Sequence, residues 1–196
     1  MILLLISLIP IIYIWTLPLL SKPTHTFAED GCYNGIESDR QLGHSISAYI
    51  SNPQATGAMA FTFTIPIALM WIYKPNNLRT IIPLVIFTLF FGLFLIFSVT
   101  FDVKLHIFAV LSFCIGAIIH FWFVLKTIQN YINIFRFLII VAILCLICIG
   151  ICGYIFINNI KQDNPPLKKS YWVWGFESLG LSSLILFTPL SILLNK

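Results

Sequence analysis

FLIIVAILCLICIGICGYIFI, Phe137–Ile157, contains no charged residue. A helix rises about 1.5 Å per residue, so this stretch is long enough to cross a hydrocarbon core roughly 30 Å thick. Its apolar residues run on without alternation. That pattern fits a lipid-surrounded helix and not a strand of a transmembrane barrel, whose residues alternate between lipid and lumen.

Comparable runs lie on either side of it. Working outward, the sequence gives spans at about 2–20, 57–73, 80–100, 105–125, 137–157 and 172–194, with a polar loop at 21–56. The composition agrees: 59% of residues are hydrophobic and 9% charged, where a soluble domain carries about 25% charged residues. A chain of 196 residues has no soluble core large enough to hide this much apolar surface, so lipid must solvate it. The fold class is therefore all-α, a polytopic bundle of six transmembrane helices with a long first loop, and we read it as a single transmembrane domain. The first run has no basic residue before it, and the small pair Thr26 and Ala28 lies well past its end. It reads as a span, with a cleaved leader, which would leave five spans, as the alternative.

Turn chemistry marks the boundaries: Lys74-Pro75-Asn76-Asn77 after the second span and Asp163-Asn164-Pro165-Pro166 before the sixth. Pro66 and Pro83 are expected to kink their helices, because each lacks a backbone donor. Trp and Tyr gather near span ends, as interfacial residues do: Trp15, Trp71, Tyr73, Trp122, Tyr131, Tyr154, Tyr171, Trp172 and Trp174. Lys and Arg divide almost evenly between the two sides, so charge does not set an orientation. The net charge of +4 is spread thinly, with no basic stripe of the kind that follows nucleic acid. Walker, Rossmann and nucleophile-elbow patterns are missing, so no cofactor and no nucleic-acid partner is expected.

The residues that could carry chemistry are few. Glu177 is the one acidic residue well inside a span, about a turn into the sixth. An intramembrane carboxylate is costly and either pairs with another group or lines a cavity. The structural alternative is a near-interface carboxylate bonded to a hydroxyl or a lysine. Asp102 and His106 stand four apart at the start of the fourth span and can share a helical face. His120 lies fourteen residues further on, about 21 Å along a helix, so it cannot share one metal ion with His106. His120 reads as a lone histidine bonded to a neighbouring helix. Cys145, Cys148 and Cys152 form one helical stripe, which suits close helix packing better than a thiolate metal site. Cys32 stands apart in the loop, and no disulfide framework follows. The second half of that loop, Gly43–Pro53, reads either as a solvated connector or as a cap folded over the helix ends. It contains His44. With six spans the first, third and fifth loops share one side, which places His44, Asp102, His106 and Glu177 at the same end of the bundle as a candidate polar cluster.

Three stretches carry a family resemblance. Ala48-Tyr49-Ile50-Ser51 precedes the second span, Phe101–His106 with Phe113 and Gly116 enters the fourth, and Tyr171–Glu177 enters the last. Together with the span layout they resemble the damage-regulated autophagy modulator (DRAM) family of six-span membrane proteins. The resemblance implies two cytoplasmic termini and a non-enzymatic role in membrane-lipid organisation, autophagy or the handling of lipid anchors, and it brings no catalytic residues. The expected partners are membrane lipids, and the layout admits homo- or hetero-oligomers within the membrane. Two other readings stay open. One is a ceramidase-like zinc-dependent lipid hydrolase using the same four polar residues. The other is a structural subunit of a larger membrane complex.

Overall fold

The computed structural model describes residues 2–20, 45–50, 53–97, 103–161 and 172–194. Among these residues every regular element is a helix: α1 (Ile2–Leu20), α2 (Ile46–Tyr49), α3 (Pro53–Tyr73), α4 (Leu78–Ile96), α5 (Val103–Leu125), α6 (Ile132–Lys161) and α7 (Trp172–Leu194). All but α2 are long and apolar enough to cross a membrane. Only 22% to 50% of the residues in each such segment are buried by the protein itself. The outward faces are nevertheless apolar, with Ile82 and Leu89 on α4, Leu111 on α5 and Ile140, Leu144 and Ile147 on α6 exposed. Such a surface is stable only in lipid, so the chain is an integral multi-pass membrane protein.

Helix ends follow local chemistry more closely than hydropathy. α3 begins at Pro53, ahead of the apolar run that starts near Gly57. Proline suits a first helical turn because its missing N–H would have no intrahelical partner there. α4 begins at Leu78, where the Asn77 side chain caps it by accepting from Thr80 N at 3.0 Å. α6 starts at Ile132 and continues to Lys161, past both ends of the run that first marked it. Pro66 and Pro83 sit inside unbroken helices, as do Pro10, Pro18 and Pro189.

α4 packs most extensively on α5 and α6 on α7, while α1 lies against α7 and α3. Aromatic rings fill the interior. Phe63, Phe91 and Phe113 join α3, α4 and α5 with centroids 5.1 and 5.7 Å apart. Phe121 stacks on Phe187 at 4.4 Å, and Phe187 meets Phe135 at 5.0 Å, joining α5, α7 and α6. Gly116 lets α5 approach α4 closely: a Cβ there would lie 2.8 Å from the Phe87 backbone nitrogen and 3.0 Å from the Pro83 carbonyl. Small residues at a helix contact are a common means of association in lipid, where helices gain little by hiding apolar surface from each other. The cysteine stripe is used in the same way at one position. Cys145 is buried, and its Cβ lies 3.1 Å from where a Cβ on Gly180 of α7 would be.

Candidate functional site: a one-turn cap held by three helices

The segment before α3 folds over one end of the bundle. Ser45 starts α2 from an extended conformation, and its Oγ accepts from Ala48 N at 3.1 Å. A single turn of helix has no stability of its own, so tertiary contacts must hold it. Ile46, Tyr49 and Ile50 are buried. Thr56 Oγ1 donates to the Ile50 carbonyl, and Tyr13 Oη of α1 donates to the Ala55 carbonyl at 2.8 Å.

Two polar side chains complete the attachment, and they engage successive residues of α2. The Ile46 N–H, which has no intrahelical acceptor at the first position of a helix, donates to Glu177 Oε2 of α7 at 2.5 Å. Ser47 Oγ lies 2.8 Å from His106 Nε2 of α5. The other ring nitrogen, His106 Nδ1, lies 2.7 Å from the Phe97 carbonyl, which belongs to the residue closing α4. A carbonyl only accepts, so Nδ1 carries the proton, and in the neutral ring Nε2 accepts from the Ser47 hydroxyl. The Phe94 ring covers this histidine, with centroids 5.2 Å apart. His106 thus closes the end of α4 and ties α2 to α5, while Glu177 ties α2 to α7.

His106 and Glu177, grouped on sequence grounds, therefore meet the same short helix. His44 and Asp102 lie outside the described residues. Among the described residues Glu177 bonds a main-chain N–H, where a hydroxyl or a lysine was the structural expectation. His120 is bonded to a neighbouring helix: its Nδ1 lies 2.8 Å from the Thr80 carbonyl of α4. Sequence reasoning missed Ile46 and Ser47 as the partners. Ser45, a good N-cap residue directly ahead of an apolar residue, was the available signal.

It also missed a second polar seam. Pro18 has no N–H to give to the Ile14 carbonyl four residues back. That carbonyl instead accepts from Trp174 Nε1 of α7 at 3.1 Å. Trp15 Nε1 donates to Ser182 Oγ at 3.0 Å, and the Trp15 and Trp174 rings meet edge to face at 5.3 Å. Both tryptophans therefore join α1 to α7, beyond any role at the membrane interface. A proline inside an apolar run, with its orphaned carbonyl, was the clue in the sequence.

Both nitrogens of His106 are engaged, and a metal at Nε2 would have to displace Ser47. Among the described residues no three His, Cys, Asp or Glu side chains gather as a metal set. No family model, curated protein or solved structure matches this chain.

Proposed function

We propose that this protein is a non-enzymatic membrane protein that binds or organises lipid. The observation that carries the reading is how the cap uses its polar groups. His106 and Glu177 both hold architecture together: both ring nitrogens of His106 are engaged, and one oxygen of Glu177 tethers α2. What the bundle offers its surroundings is an extensive apolar surface, and non-enzymatic lipid organisation is also what the resemblance to the DRAM family implies. The ceramidase-like zinc reading would require His106 to give up Ser47 at Nε2, which would loosen the cap.

The test is mass spectrometry of the protein purified in mild detergent, with its lipid and metal content read together. We expect specific lipids retained above their share of the source membrane, and no stoichiometric zinc. Retained lipid that merely mirrors the source membrane would sink the proposal. About one zinc per chain, lost on His106→Ala, would replace it with the hydrolase.

A further inference from the structure

The end of the bundle opposite the cap has a different electrostatic character. The seven acidic residues are Glu29, Asp30, Glu37, Asp39, Asp102, Asp163 and Glu177. Six belong to the α1–α2, α4–α5 and α6–α7 connections, which join helices on the cap side, and the seventh binds the cap itself. From Pro53 to Lys161 the only acidic residue is Asp102. The α3–α4 and α5–α6 turns at the far end, with the starts of the helices that follow them, carry Lys74, Arg79, Lys126 and Arg136 and no acidic residue.

Both turns are well ordered by their own contacts. In the first, Thr80 is fully buried, and its Oγ1 donates to the Pro75 carbonyl at 2.7 Å. His120 of α5 reaches the Thr80 carbonyl, which ties this turn to the helix leading into the second. In the second, Ile128 is buried while Tyr131 is 59% exposed. Tyr131 has φ 55°, a left-handed conformation that bulky residues rarely adopt. Lys74 lies over the Trp71 ring at 5.6 Å and Lys126 over Phe123 at 5.2 Å. Each ammonium therefore sits over an aromatic ring of its own helix end, a cation–π contact that places the charge beside the apolar span. Arg79, Lys126 and Arg136 are exposed.

We infer that this end binds the headgroups of anionic phospholipids in the leaflet it faces. Basic residues clustered beside membrane spans attract such lipids, and here no carboxylate on either turn competes for them. The inference deepens the lipid-binding proposal, and rests on it, by naming a lipid class and a site separate from the cap.

The experiment reconstitutes the full chain in phosphatidylcholine vesicles and measures the relative association of spin-labelled phosphatidylserine and phosphatidylcholine. We expect a preference for phosphatidylserine of roughly fivefold, weakened by raised salt. It should disappear in the Lys74→Gln/Arg79→Gln/Lys126→Gln/Arg136→Gln variant and persist in Lys104→Gln, whose charge lies at the cap end. The pairs Lys74→Gln/Arg79→Gln and Lys126→Gln/Arg136→Gln, each expected to lose part of the preference, keep the test decisive if the fourfold variant fails to fold. Equal association of the two lipids would overturn the inference while specific lipid retention upheld the broader reading. A preference that survives charge removal would overturn it too, as would a soluble inositol phosphate that binds these turns equally well without anionic lipid.

Discussion

The α4–α5 seam and the α1–α7 seam hold helices together in opposite ways. At the first, Gly116 brings the two backbones close and rings of Phe87, Phe91 and Phe113 close over the contact. At the second, two indole N–H groups reach across, one to a carbonyl left open by Pro18 and one to a serine. Lipid tails are as apolar as leucine, so neither seam relies on water exclusion. The first depends on close shape fit, the second on polar groups that would otherwise lack partners.

The contrast can be broken most severely at Gly116. Gly116→Ala places a Cβ against backbone atoms that cannot swing aside, and a loss of about 3 kcal/mol in detergent-mediated unfolding is expected. Gly92→Ala is the control on α4: apart from its own stretch of helix, nothing lies within 4 Å of its Cβ position, so no loss should follow. The cap comes next. His106→Ala leaves the Phe97 carbonyl and the Ser47 hydroxyl without this partner, at a cost of about 2 kcal/mol. Hydrogen exchange should show α2 amides opening while the α4–α5 seam stays protected. Glu177→Gln keeps an oxygen that can accept from Ile46, and it should exchange more slowly at that amide than Glu177→Ala. Equal exchange in the two variants would rule out the hydrogen bond as the tether. The smallest effect belongs to the polar seam: Trp174→Phe keeps a ring but loses the bond to Ile14, costing about 0.6 kcal/mol. A loss as large as that at Gly116 would erase the distinction between the seams.

The sequence exposed the spans because hydrocarbon thickness acts on each one locally. It exposed the site in part. Glu177 stood out because a carboxylate is expensive in a span, and His106 because topology placed it at the same end. Their partners were hidden, since Ile46 contributes a main-chain N–H, which every residue but proline has, and Ser47 is a common residue in a polar loop. α2 is a single turn, too short for any periodic pattern to reveal. Pro18 and Trp174 lie 156 positions apart in numbering, and only folding brings an orphaned carbonyl to an indole.

The bond between Ile46 and Glu177 joins residues 131 apart in sequence. During synthesis at about 5–20 residues per second, the Ile46 amide therefore waits roughly 7 to 26 s for its acceptor to be made. The cap cannot finish closing until the last helix has left the ribosome and entered the bundle. A chain stopped before α7 would present the Ile46 amide without its carboxylate acceptor, so the unfinished and the complete chain differ at this end.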